Sequence, residues 1–162
     1  MFTRTIRFLG ASIVIATSGA CARPDMIAPD QSALTATSTD LRTRMLLVSS
    51  VSSPVWASDP LSINSASIEG DTLRIAATYG GGCRRHALQP IAETVWMESY
   101  PVQVSTRIAH NAGGDGCKAL VSRVLLIDLS PLKELYRQSY HTSAGKIALR
   151  LAGSDIVPVY SF

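Results

Sequence analysis

The chain holds no apolar run near the roughly 20 residues that a membrane-spanning helix needs. Its N-terminal run, Phe8 to Ala16, has nine. Basic residues are not clustered into a stripe, and once Arg4 and Arg7 leave with an N-terminal signal, 13 basic residues face 12 acidic ones. That balance argues against a nucleic-acid partner, which wants a concentrated positive face. No Gly-x-Ser-x-Gly elbow is present to carry a hydrolase serine. No Cys-x-x-Cys is present for thiol redox chemistry. The triple glycine Gly80-Gly81-Gly82 lacks the Gly-Lys-Ser/Thr ending and the following helix of a phosphate-cradling loop. There is no internal repeat, and only three cysteines occur in 162 residues.

What the first 22 residues do have is the pattern of an export signal: basic Arg4 and Arg7, the short apolar run, then small residues. Two cuts fit. Ser18-Gly19-Ala20-Cys21 resembles a lipobox, with serine where leucine is usual, and would leave Cys21 as a lipid attachment site. Ala20-Cys21-Ala22 instead forms an A-x-A site that discards Cys21. The first is preferred, because the apolar run leads straight to Gly-Ala-Cys and a polar, proline-containing stretch follows. We therefore expect residues 1–21 to be a signal peptide of lipoprotein type and 22–44 a disordered tether, too poor in large apolar side chains to fold by itself. The folded domain is expected over 45–162.

Within that domain the hydrophobic pattern predicts strands. Met45 to Val51 reads as a first strand, and Ile63–Ile68 with Thr72–Tyr79 as a hairpin turning through Glu69-Gly70-Asp71. His86–Ala92 and Thr94–Ser99 read as further strand. Val102, Val104, Thr106, Ile108 and His110 share one face of the clearest alternating segment, which places His110 in phase with the core. Asn111 to Gly116 looks like a hairpin turn and Lys118 to Leu129 like its return strand. Ser130-Pro131 predicts a helix start, with serine as N-cap, and Leu132, Leu135, Tyr136 and Tyr140 follow at helical spacing. Lys146–Ala152 and Ile156–Phe162 close the chain as strands, the last marked as an edge by Pro158. The expected fold class is all-β: an antiparallel β-sandwich, immunoglobulin-like, with one short helix.

Two short stretches concentrate the chemistry: Gly80-Gly81-Gly82-Cys83-Arg84-Arg85-His86 and His110-Asn111-Ala112-Gly113-Gly114-Asp115-Gly116-Cys117. In an oxidising compartment Cys83 and Cys117, the pair left after Cys21, are expected to form a disulfide. The competing reading is a thiolate site, Cys-x2-His with His-x6-Cys, suited to zinc or copper. A third survives with the bridge formed: His86 and His110, drawn together with Asp115, as a metal triad. His110 alone reads as a buried, hydrogen-bonded neutral imidazole. Glu93 and Glu98 read as a solvated face, and His141 as a residue at the helix C-terminus.

The segments YGGGCRRH, ESYPVQV, AHNAGGDGC and IDLSPL, in this order, resemble a group of uncharacterised bacterial secreted lipoproteins with a Gly-Gly-Cys-x-x-His stretch and a later His and Asp-x-Cys stretch. The similarity spans about Leu73 to Leu151. It implies an exported, lipid-anchored domain without an assigned activity. The functional expectation is thus a cell-envelope β-sandwich with a structural or binding role, no legible catalytic residue and no cofactor. Its partners would be the membrane, through the lipid, and a protein or small molecule of unknown kind. The alternative is a periplasmic or surface metal-binding protein using His86 and His110 with zinc or copper.

Overall fold

A computed structural model describes residues 40–162, so the expected signal peptide, Cys21 and the tether up to residue 39 lie outside the described residues. Nine strands and one helix follow: β1 (Leu41–Arg44), β2 (Leu46–Val48), β3 (Ser62–Glu69), β4 (Thr72–Gly81), β5 (Ala87–Glu93), β6 (Val102–Asn111), β7 (Ala119–Asp128), α1 (Ser130–Tyr140), β8 (Lys146–Leu151) and β9 (Val159–Ser161). They form two sheets, ordered β1-β7-β4-β3 and β2-β5-β6-β8-β9.

The alternating strands behave as their pattern predicts. Leu73, Ile75, Ala77 and Tyr79 of β4 and Leu125 and Ile127 of β7 turn inward from one sheet. Val102, Val104 and Ile108 of β6 and Ile147, Leu149 and Leu151 of β8 meet them from the other, in one continuous apolar cluster. A smaller cluster, Val48, Val51, Ile91 and Ala109, lies where the segment after β2 folds over the second sheet. The β3–β4 hairpin is present, with Glu69 paired to Thr72, so its loop is the two residues Gly70 and Asp71.

The sheets are mixed, which corrects the expected antiparallel order. Strands β1 and β7, β2 and β5, and β6 and β8 pair in parallel. Parallel neighbours need a long crossover, and the chain supplies one. After β6 it crosses to the other sheet as β7, continues through α1, and returns to lay β8 beside β6. For the same reason Asn111–Gly116 is not a hairpin turn: β7 pairs antiparallel with β4, not with β6. Of the expected first strand over Met45–Val51 only Leu46–Val48 is strand, and Met45, just ahead of it, is turned into the core. The domain begins before residue 45, because Leu41–Arg44, read as tether, is strand β1. Thr94–Ser99 is not a strand; Met97 makes one isolated bridge to Gln103. At the helix start Ser130 is already helical and Leu129 is the N-cap, while the Ser130 hydroxyl and N–H both donate to the Asp128 carboxylate. His141 closes the helix in the left-handed conformation.

Asp71 ties the hairpin turn to the rest of the fold. Its carboxylate accepts from Lys133 of α1 and from the hydroxyl of Tyr160 of β9, and its carbonyl accepts from Leu129 N–H at 2.9 Å. Tyr160 is fully buried, so its hydroxyl must find a partner inside the protein. The Lys133 hydrogen bond, then that of Tyr160, holds the Asp71 carboxyl below its ordinary range, with desolvation opposing. Burial, then Asp71, pushes the Tyr160 hydroxyl up. A carboxyl with a lowered folded pKa contributes stability that is present above the unfolded value and lost as pH falls through the folded one. Urea unfolding of Tyr160→Phe should therefore show a loss of about 1 kcal/mol, since half-exposed Asp71 keeps other partners. Asp71→Asn should flatten the decline of stability below about pH 4, near the carboxylate reference value.

Candidate histidine site and adjoining groove

The two sequence stretches meet at the end of the fold where β4 finishes and β5 and β7 begin. Cys83 and Cys117 are bridged, with Cα atoms 5.9 Å apart. The bridge consumes both thiolates, so the four-ligand thiolate and imidazole reading is excluded. The triple glycine does not break β4 as expected, since Gly80 and Gly81 still pair with Leu120 and Ala119. Its use lies in Gly81. A Cβ there would lie 2.6 Å from Cε1 and Nε2 of His86 and 3.0 Å from the Asp115 carboxylate, and φ is +146°. Only a glycine lets the ring lie against the strand.

His86, His110 and Asp115 are brought together, as a hydrogen-bonded chain. His110 Nδ1 faces the carbonyls of Pro60 at 3.0 Å and Asp59 at 3.2 Å. His110 Nε2 lies 2.7 Å from His86 Nδ1. His86 Nε2 lies 3.2 Å from Asp115 Oδ2. The side chains of His86 and Asp115 are each 1% exposed, and His110 is as deeply buried. Tyr79 closes the wall, its ring stacked 4.7 Å from His86 and tilted 4.8 Å from His110.

Asp115 also accepts Cys83 N–H and Arg84 N–H, both at 2.9 Å, and Cys117 N–H at 3.0 Å. The Cys117 N–H holds its carboxyl far below the usual range, reinforced by the Arg84 N–H, His86 and the Cys83 N–H against an opposing desolvation. Asp115 is therefore a carboxylate, and His86 Nε2 must carry a proton to donate to it. His110 Nδ1, facing only carbonyls, must carry one too. The two remaining nitrogens face each other at 2.7 Å, and two lone pairs cannot sit there. A hydrogen bond therefore runs between the rings, and His110 is buried and hydrogen-bonded at both ring nitrogens, as its place on the inward face of β6 predicts.

As placed, the residues do not fit a metal ion. A tetrahedral zinc with Zn–N bonds near 2.0–2.1 Å holds its two nitrogens about 3.3 Å apart, wider than the gap between these rings. Glu93 and Glu98 are engaged elsewhere: Glu93 accepts Val51 N–H and Glu98 accepts the Tyr140 hydroxyl. That hydroxyl is pushed up to about 12 by burial, then by Glu98.

Beside the pair opens a groove of about 460 Å³. Tyr79, His86, Leu88 and Val121 form its walls, Leu41 stands at one end, and Arg84, Arg85 and Arg123 line it. Arg84 Nη1 donates to the Gly113 carbonyl at 3.0 Å. Among the described residues none of these three arginines has a carboxylate partner. Strand parity gave a signal for Arg123, which is in phase with inward Leu125 and Ile127. No local pattern announced Tyr79, Asp59 or Pro60 as neighbours of the histidines.

No family model and no curated protein matches the chain. Solved structures do. A NigD-like immunity protein from Bacteroides caccae superposes with a TM-score of 0.53 at 15% identity, over 74% of this chain and 59% of that one. A candidate lipoprotein from Bacteroides fragilis gives 0.49 at 11%, over 75% and 70%. This chain thus spans less than two thirds of the first protein's length and shares its fold.

Three outcomes are expected. Nitrogen-15 NMR of the imidazoles in the folded protein should find both Nδ1 of His110 and Nε2 of His86 protonated and one further proton coupled to both central nitrogens; a central pair without a proton would refute the assignment. Gly81→Ala should lower stability by about 2 kcal/mol or more and abolish the inter-ring coupling, while replacing both cysteines by serine should cost roughly 3 to 4 kcal/mol.

Proposed function

We propose that the chain is an exported cell-envelope domain, held to the membrane by a lipid on Cys21, whose role is to bind an anionic partner. Its two facing sheets make a β-sandwich broadly like the immunoglobulin arrangement, with three parallel pairs in place of a fully antiparallel order. The observation that carries the binding role is the groove, where Arg84, Arg85 and Arg123 surround an aromatic and apolar wall and have no carboxylate partner among the described residues. Guanidinium groups left free beside a concave apolar surface suit carboxylate or phosphate recognition. The disulfide beside the groove suits an oxidising compartment, and the resemblance to secreted lipoproteins supports the anchor.

The anchor and the groove are tested separately. In cells given labelled palmitate, the wild type should be labelled and membrane-bound, and Cys21→Ser should be neither; an unlabelled wild type beginning at Arg23 would overturn the anchor. Benzoate and inorganic phosphate should shift the NMR signals of the Arg85 and Arg123 side chains, and Arg123→Gln should weaken that response several-fold. A rise in melting temperature with zinc or copper, absent from a His86→Ala and His110→Ala variant, would instead favour metal binding.

A further inference from the structure

The groove is the unfilled half of a seam between the two sheets. Strand β1 pairs with β7 only from Leu125 to Asp128. Strand β2 pairs with β5 only from Ile91 to Glu93. Both short strands fill the same half of the seam, and at the other half the described residues leave two strand edges open. On β7 the open stretch is Ala119 to Val124, which pairs with β4 on its other side. On β5 it is Ala87 to Pro90, which pairs with β6. In a strand, alternate residues direct N–H and C=O to opposite sides. Half of Ala119–Val124 therefore presents its backbone groups to the groove.

An open edge is a template for another strand, and natural sheets usually cover or guard it. This one lies beside three cations that have no carboxylate partner among the described residues. Arg123 is the most informative of them, because it pairs with Ala77 and shares the inward face of β7 with Leu125 and Ile127. A cation in phase with the core, with no carboxylate partner among the described residues, suits an anion from outside. The neighbouring Asp115 does not meet that need, since its carboxylate is taken up by the Cys83, Arg84 and Cys117 N–H groups and by His86.

We infer that the groove receives an extended acidic peptide segment of a partner protein, which adds as a strand to the free edge of β7. This rests on the anion-binding reading above and names the partner's chemistry. The segment would continue the line of β1. Six residues of open edge accommodate a strand of about 20 Å. Main-chain hydrogen bonds to β7 would supply affinity, and alternate carboxylates meeting Arg85 and Arg123 would supply specificity, as in other strand additions.

The experiment uses the full mature protein and synthetic eight-residue peptides of alternating valine and glutamate, with valine–lysine and backbone N-methylated versions as controls. The expected result is binding of the acidic peptide alone, weakened at least tenfold by Arg85→Glu with Arg123→Glu. It should bring new hydrogen-exchange protection at alternate amides of Ala119–Val124. Equal binding of the lysine or N-methylated peptide overturns the inference. Protection of those amides before any peptide is added overturns it too, since the chain would then fill its own edge. So does self-association of Arg123→Leu without peptide binding by the wild type, which would make Arg123 an edge guard. If benzoate and phosphate bind while the acidic peptide does not, the strand addition fails and the anion-binding reading stands. If none binds, both fail.

Discussion

A single carboxylate organises one end of this molecule. Asp115 is withdrawn from solvent in the loop between β6 and β7, and a buried charge must be paired and hydrogen-bonded or it destabilises the fold. Three backbone N–H groups and His86 answer it. Each answer constrains a neighbour. The Cys83 and Arg84 amides reach it because the disulfide brings their loop to the β6–β7 loop, and His86 reaches it because Gly81 leaves room for the ring. His110 then completes the chain from the other sheet. The network spans both sheets, so it fixes their spacing at this end as well as satisfying a charge.

The opposite end is built on a second aspartate by a different route. Asp71 lies in the β3–β4 turn, is half exposed, and gathers Lys133 from the helix and Tyr160 from the last strand. Strand β4 runs between the two knots, from Thr72 beside Asp71 to Gly81 beside Asp115. Strand β4 is thus held at both ends and paired along both sides, with β3 and β7. The seam along the sheet edges has no such clamp. Among the described residues only β1 and β2 enter it, and they cover half its length, which is why concavity and open backbone coincide there.

What the sequence discloses is what depends on near neighbours. Period-two alternation located β4, β6 and β8 and the inward face of each, because burial on one side leaves that trace whatever the pairing partner. Pairing itself was not legible. Nothing in Asn111–Gly116 distinguishes a hairpin turn from a crossover to the other sheet, and the antiparallel expectation failed on that point. The disulfide was accessible from compartment and count alone. The meeting of His86, His110 and Asp115 followed from the bridge, while the contacts of Asp59, Pro60 and Tyr79 come from segments far off in the chain.

The difference between a metal triad and the observed pair comes down to where the protons must be. Ligation needs ring nitrogens with lone pairs aimed at a common point. Here the outer nitrogens are committed to Asp115 and to the Asp59 and Pro60 carbonyls, and the inner two point at each other. Neither ring therefore offers a lone pair to the groove, which also leaves His86 unsuited to act as a base there. Asp115 is committed in the same way, its oxygens taken by three backbone N–H groups and His86, and the charged side chains that line the groove beside it are Arg84, Arg85 and Arg123. A network that resembled a site for chemistry is thus closed on itself, and the hydrogen-bonding capacity left facing the groove is that of the arginines.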